Sequence, residues 1–262
     1  MKVYVINMER SVNRRTSMEE QLRKLGVDYE IVKAVDGSQL TDDAIHNEGR
    51  EDDPFSRSEI GCMLSHCKVY AMMQEMGDAF ALVLEDDIWI TEAELGRLLD
   101  AIQPQVRKET VTLLTYFGRK DSKVVLKKIK SVGHVPNSEE RYFISQPTYA
   151  NSLARAGAYV ITQSCAKKLL DFHTPRIRCR ADEWEVYYEN NIMPIVHCIY
   201  PMPITENYDH GSEINYTRNG IEALGKKLIT WSIYNRIPIL TYLFKKRRES
   251  YSNRHKNIEL EN

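Results

Sequence analysis

Three carboxylates stand side by side in this chain, Glu85-Asp86-Asp87, directly after the apolar run Phe80-Ala81-Leu82-Val83-Leu84. Adjacent carboxylates repel one another, and a bound cation offsets that cost. Hard oxygen donors suit Mg²⁺ or Mn²⁺, which usually keep waters and substrate phosphates as their other ligands. The period of two along extended backbone puts Glu85 and Asp87 on one face and Asp86 on the other. Asp87 is therefore the first candidate for a direct metal ligand and Glu85 the second, with Asp86 turned towards another part of a bound molecule. The competing reading is a solvated turn whose acids cap a helix beginning near Thr91-Glu92-Ala93-Glu94.

The elements needed to position such a site follow from the pattern around it. Five consecutive apolar residues, Phe80 to Leu84, read as a strand buried on both faces. In an open α/β sheet the C-terminal end of such a strand is where ligands sit. Lys2 to Asn7 reads as the opening strand, and a helix runs from Asn13-Arg14-Arg15 through Leu25, stopped by Gly26. A second strand covers Tyr29 to Val32 and ends at the turn Ala34-Val35-Asp36-Gly37. Ile60, Leu64, Cys67 and Ala71 fall at helical spacing, giving a helix from Ser58 to Met76. Further helices are expected at Thr91–Ile102, Gln163–Phe172 and Asp182–Asn190. Further strands are expected at Thr110–Thr115, Ala158–Ile161 and Ile195–Tyr200, with a hairpin around Pro136-Asn137. Strands alternating with helices indicate βαβ units and a mostly parallel sheet. No glycine-rich phosphate loop follows the first strand, which argues against a dinucleotide-binding or P-loop enzyme.

With 262 residues, 42% of them hydrophobic and 28% charged, the chain can bury a full core as an ordinary soluble protein. Its five cysteines match no zinc spacing and no secretory signal precedes them, so they read as reduced core thiols. No stretch approaches the length of a membrane span. Charge is uneven. Residues 225–262 carry nine Lys/Arg against three Glu, net +6; the whole chain is −1, so the first 224 residues carry −7. An acidic body with a basic end suggests that the end has its own partner. Two regions are accordingly expected, residues 1–219 as the α/β domain and residues 220–262 as a basic amphipathic extension, broken into two helical pieces by Pro238.

Several segments together resemble glycosyltransferase family 25, the lipooligosaccharide biosynthesis enzymes. They are Val5-Ile6-Asn7-Met8-Glu9-Arg10 with Arg14-Arg15, then Ala34-Val35-Asp36-Gly37, Glu59-Ile60-Gly61-Cys62-Met63-Leu64-Ser65-His66 and Leu84-Glu85-Asp86-Asp87. Later come Gly157-Ala158-Tyr159-Val160-Ile161-Thr162 and Asp182, which stands where the family has an Asp after a Pro-Val pair; here Arg180-Ala181 takes that pair's place. The ordered set spans about residues 1–210. It implies a GT-A fold, an inverting mechanism, a UDP-sugar donor (most often galactosyl), Mn²⁺ or Mg²⁺, and a lipooligosaccharide-type acceptor.

An inverting transfer needs a stabilised leaving diphosphate and a base for the acceptor hydroxyl. On that reading Arg10 and Arg15 would pair with diphosphate oxygens, their alternative being solvated charge at a helix start. Asn7 and Asp36, at strand ends, would hold the uridine, Asp86 the ribose or donor sugar, and Ser65 and His66 would touch nucleotide or substrate. Asp182 and Glu183 are the base candidates. Trp184 beside them either stacks on a sugar or fills the core. His210 is a third metal candidate, and His197 is read as structural. The basic extension would bring the enzyme to the anionic inner face of the cytoplasmic membrane, where a lipid-linked acceptor lies; no nucleic-acid partner is expected. The runner-up is a metal-dependent phosphohydrolase acting on nucleotides or sugar phosphates, which suits clustered acids on an α/β sheet equally. A non-catalytic sugar- or nucleotide-binding module is the third class.

Overall fold

A computed structural model describes residues 1–42, 45, 55–118, 123–148, 153–207 and 258–261. The chain begins β1 (Lys2–Asn7), α1 (Val12–Lys24), β2 (Glu30–Lys33), α2 (Arg57–Met76) and β3 (Phe80–Glu85). It continues through β4 (Ile88–Ile90), α3 (Leu95–Ile102), β5 (Thr110–Leu113), β6 (Phe117–Gly118), β7 (Val124–Ser131) and β8 (Phe143–Pro147). Then come β9 (Leu153–Ala154), β10 (Ala158–Thr162), α4 (Gln163–Phe172), α5 (Trp184–Glu189), β11 (Ile195–Tyr200), β12 (Ile204–Glu206) and β13 (Ile258–Glu261).

Among the described residues, nine strands form the central sheet in the order β13-β7-β8-β11-β5-β10-β3-β1-β2. Only β8 and β10 run against the other seven, so the sheet is mostly parallel, as the alternating pattern predicts. Alternation within the strands separates two cores. Tyr4, Ile6, Ala81 and Val83 face one side, beneath Ile60, Met63 and Met73 of α2, Leu169 of α4 and Trp184 and Tyr187 of α5. Val3, Val5, Leu82 and Leu84 face the other, beneath Met18 and Leu22 of α1 and Leu95, Leu98 and Ile102 of α3. The result is three layers, helices on both faces of one sheet.

Local sequence sets the helix ends. Ser56 and Glu59 make a reciprocal capping box at the start of α2, and Gly77 closes it in the left-handed conformation at φ +72°. The chain around β4 departs from expectation. Residues 88–90 are a strand paired with β12, and α3 starts only at Leu95. Glu92 does not cap a helix; its carboxylate accepts hydrogen bonds from the Glu94 N–H, Ser138 Oγ and Tyr142 Oη, holding the β7–β8 hairpin against this corner. The acidic triplet is therefore followed by a strand, which removes the helix-cap reading.

The C-terminal extension expected to be helical lies, over residues 220–257, outside the described residues. The last described segment is a strand: β13 pairs in parallel with β7 at the edge of the main sheet. Residues 258–261 thus belong to the sheet of the α/β domain.

Candidate functional site

Sheet register assembles the site. Residue Ile6 of β1 lies beside Glu85 of β3, which brings Asn7 next to Asp86. Strand β10 runs antiparallel to β3 with Ala158 opposite Leu84, so the residues just before β10 meet the triplet, and Gly157 O accepts from the Glu85 N–H at 2.8 Å. The small β4–β12 ribbon adds Glu206, and the Asn207 N–H donates to Asp87 O at 2.7 Å.

The three acids of the triplet have different surroundings. Asp86 turns inward. Asn7 Nδ2 donates to its Oδ2 at 2.7 Å and Arg14 Nη1 to its Oδ1 at 2.9 Å, with both side chains buried. Burial, joined by the charge of Asp87, raises the Asp86 carboxyl more than Arg14 and Asn7 lower it. Asp86 thus ties β1, α1 and β3 together. Arg14, not Arg15, faces the triplet, because 14, 18 and 22 form the inner stripe of α1. Arg15 is on the outer side, paired with Glu19 at 2.8 Å.

Glu85 and Asp87 point the other way and share Arg155. Arg155 Nη2 donates to Asp87 Oδ1 at 2.6 Å, its Nη1 lies 3.9 Å from Glu85 Oε2, and its Nε is 3.1 Å from Glu206 Oε1, a contact of charges without hydrogen-bond alignment. The Arg155 N–H donates to Asp182 Oδ2 at 3.2 Å, and the Trp184 indole N–H donates to Arg155 O at 3.0 Å. Burial alone would lower the guanidinium's proton affinity, but Asp87, Glu85, Glu206 and Asp182 together raise it. Four carboxylates thus surround one cation. A surplus of negative charge made of oxygen donors fits a divalent metal, with Asp87 and Glu85 the residues that would hold it.

Helix α2 supplies the next wall. A Cβ on Gly61 would sit 2.7 Å from Gly37 N and 2.8 Å from Val35 O, so glycine lets α2 lie directly on the turn after β2. Ser65 completes that seam, accepting from the Val35 N–H at 2.8 Å and donating to Gly61 O at 2.6 Å. It fixes the turn that carries Asp36, which pairs with Arg10. Buried His66 is 3.3 Å from Glu85 Oε1 through Nε2 and 2.7 Å from Tyr159 Oη through Nδ1. Burial pushes the Glu85 carboxyl up, but the His66 hydrogen bond and the charges of Arg155, His66 and Arg14 outweigh it, and the group lies below the ordinary glutamate range.

The two base candidates separate. Glu183 is engaged by Arg180, whose Nη1 donates to Oε1 at 3.0 Å and whose N–H donates to Oε2 at 2.8 Å. The same guanidinium donates to Glu59 at 2.6 Å. Arg180, the first of the two residues that take the place of the family's Pro-Val pair, therefore clamps this loop to the start of α2. Glu183 is thus held by Arg180, while Asp182 lies beside Arg155. Trp184 is 1% exposed and packs edge-on against Tyr159, a core aromatic and not a sugar platform. His197 is buried in β11 and distant in role, while His210 lies outside the described residues.

Arg14, Arg155 and Glu206 are the site residues that sequence reading missed. A signal for Arg155 existed: one charge between Ala154 and Ala156, just before the largely apolar strand β10.

Residues 1–184 match the sequence profile of glycosyltransferase family 25 (LPS biosynthesis protein). A glycosyltransferase 25 family member of Aedes aegypti is 29% identical over 256 residues, covering 92% of this chain and 35% of the relative. Procollagen galactosyltransferase 2 of Mus musculus is 28% identical over 203 residues, 72% of this chain and 32% of the relative. The chain thus spans about a third of the length of these curated relatives. A solved glycosyltransferase involved in the glycosylation of the major capsid of PBCV-1 overlays 75% of this chain and 80% of its own at 9% identity and a TM-score of 0.32, too remote to bear on mechanism.

Proposed function

The chain belongs to glycosyltransferase family 25, with residues 1–184 matching the family profile, and from that premise we propose that it is an inverting transferase that moves galactose from UDP-galactose to a saccharide acceptor of the lipooligosaccharide type. The observation that carries this reading is the convergence of Glu85 and Asp87 on the Arg155 guanidinium at the end of β3, with Asp182 accepting from the backbone N–H of the same residue. A galactosyl donor is supported by a relative's name, procollagen galactosyltransferase. The acceptor class is supported by the family's description.

Asp87 and Glu85 would hold a Mn²⁺ or Mg²⁺ ion, which when bound offsets charge on the departing diphosphate. Arg155, already next to both acids, supplies a second fixed positive charge at that position. Arg10, exposed and three residues beyond β1, would pair with phosphate oxygens, and Asp36 beside it would accept from a ribose or base donor. Asp182 takes the proton from the attacking hydroxyl of the acceptor, so that attack and departure occur on opposite faces of the sugar. Glu183, Arg180 and Trp184 hold the Asp182 loop in place. Residues 220–257 and their basic clusters would bring the protein to the anionic inner face of the cytoplasmic membrane, where a lipid-linked acceptor is presented.

The test is transfer from UDP-galactose with Mn²⁺ present or chelated. Asp87→Asn should fold and lose transfer by about a hundredfold or more, as removal of a charge-stabilising group at a reacting centre does. Full activity in EDTA would overturn the cation's role. Release of phosphate from nucleotide without an acceptor would favour the hydrolase reading instead.

A further inference from the structure

Among the described residues, one cluster joins a thiol, an imidazole and a carboxylate: Cys62, His66 and Glu85, whose ligand atoms all lie within 4.8 Å of one another. We propose that these three residues form a binding site for a thiophilic divalent cation, Zn²⁺ being the natural occupant, with a fourth position left for water.

The spacing carries the argument. Cys62 and His66 are four apart on α2 and so share one face of the helix. Glu85 reaches them from the end of β3. Zinc ligand distances of about 2.0–2.3 Å imply ligand-to-ligand edges of roughly 3.3–3.8 Å in a tetrahedron. The His66 Nε2 to Glu85 Oε1 separation is 3.3 Å and the Cys62 Sγ to Glu85 Oε1 separation is 3.9 Å, both close to such edges. The imidazole is also oriented as a metal-bound histidine requires. Nε2 faces the cluster, while Nδ1 is 2.7 Å from Tyr159 Oη, which is itself 2.9 Å from Tyr70 Oη. A histidine that binds metal through one nitrogen normally has the other fixed by such a partner. The thiol releases its proton to solvent on coordination, as zinc-bound cysteine does.

A soft site of this kind differs in chemistry from the oxygen site at Asp87 but shares Glu85 with it. Zinc at Cys62 therefore withdraws a ligand from the hard-cation site. On the transferase reading above, zinc inhibits the enzyme through Cys62.

Cobalt titration of the full chain tests the binding claim without any assay of activity. One equivalent of Co²⁺ should give intense tetrahedral ligand-field bands with a thiolate-to-metal charge-transfer band. Cys62→Ser, nearly isosteric, should lose that band and bind Zn²⁺ at least about tenfold more weakly, the scale of losses at disturbed metal sites. Cys179→Ser, which alters the other cysteine close to a histidine, should leave both unchanged. In wild-type protein, Zn²⁺ should also protect Cys62 from alkylation, read by peptide mass spectrometry, so the test does not depend on a variant folding. A weak octahedral spectrum identical in wild type and Cys62→Ser, or a charge-transfer band that survives Cys62→Ser and vanishes in Cys179→Ser, overturns the proposal. If cobalt binds as expected and zinc does not inhibit transfer, the site stands and its link to the transferase reading fails.

Discussion

Arg155 holds Asp87 through a 2.6 Å hydrogen bond from a backbone that few residues adopt: its φ is +94°. A left-handed conformation at a residue with a Cβ costs of order 1–3 kcal/mol and persists only where the surroundings impose it. Here Asp182 takes the Arg155 N–H and Trp184 the Arg155 C=O, so the strained residue is tied at both ends to the loop that bears the base candidate.

Replacing this guanidinium should expose how much charge it offsets. Arg155→Gln leaves Asp87, Glu85 and Glu206 together without their shared cation. Loss of one partner from a buried charge cluster costs about 3–5 kcal/mol. The variant should therefore melt well below wild type, and saturating Mn²⁺ should raise its melting temperature more than it raises that of wild type. Equal cation shifts in the two proteins, read by thermal denaturation, would show that Arg155 and the metal do not serve the same acids.

Asp182 should behave as a group used in the reaction and not in nucleotide binding. Asp182→Asn keeps an acceptor oxygen for the Arg155 N–H but cannot take a proton. We expect turnover to fall by about 10²–10⁴-fold, the usual contribution of a general base. UDP affinity, measured by calorimetry, should stay near wild type. Weakened UDP binding with turnover preserved would move the base elsewhere.

Much of this arrangement was legible from residue order, and what was not has a physical reason. Strands β1, β3, β10 and β11 and helices α2 and α4 follow from apolar runs and helical spacing, because those signals are local. The position of the triplet at a buried strand end followed for the same reason. The choice of Arg14 over Arg15 depends on which way α1 is rotated against β3, and two adjacent arginines do not reveal that. Arg155 and Glu206 arrive through an antiparallel strand and a two-stranded ribbon, pairings that join residues about 70 and 120 positions from the triplet. What sets Glu183 apart from Asp182 is its pairing with Arg180, which depends on how this loop folds and not on residue order.

Acid should weaken the fold through two buried histidines. Burial lowers His173 to about 4, with Arg178 and His66 adding to the effect, and burial lowers His197 to about 4, with Arg107 adding. In the unfolded chain each imidazole takes a proton below about 6.5, while in the folded chain it stays neutral to about 4. Stability is therefore full above pH 6.5 and declines as pH falls towards 4, by roughly 2 kcal/mol per histidine at pH 5. The depressed Glu85 acts in the same sense at lower pH, since its contribution is lost as pH falls below the unfolded glutamate value. Neither ring nitrogen of His197 has a hydrogen-bond partner among the described residues. His197→Phe should thus lose less melting temperature between pH 7 and pH 5 than wild type does. Parallel pH profiles for the two proteins would remove His197 from the acid response.

The basic C-terminal segment leads to the last prediction. Lys226-Lys227 and Lys245-Lys246-Arg247-Arg248 flank Trp231, Tyr234 and the run from Ile237 to Phe244. Aromatic and aliphatic residues between basic clusters are what an interfacial segment requires. Each basic residue near an anionic surface contributes on the order of 1 kcal/mol, so a net charge of +6 can hold the protein there reversibly. Truncation is a poor test, because β13 belongs to the main sheet and its removal would expose the edge of β7. Changing Lys245, Lys246, Arg247 and Arg248 to glutamine keeps the chain intact. Wild-type protein should sediment with phosphatidylserine-containing vesicles at low salt and be released at high salt, while the four-fold variant should bind much less. Equal sedimentation of the two would separate the basic segment from membrane binding and return it to the charge balance of the domain itself.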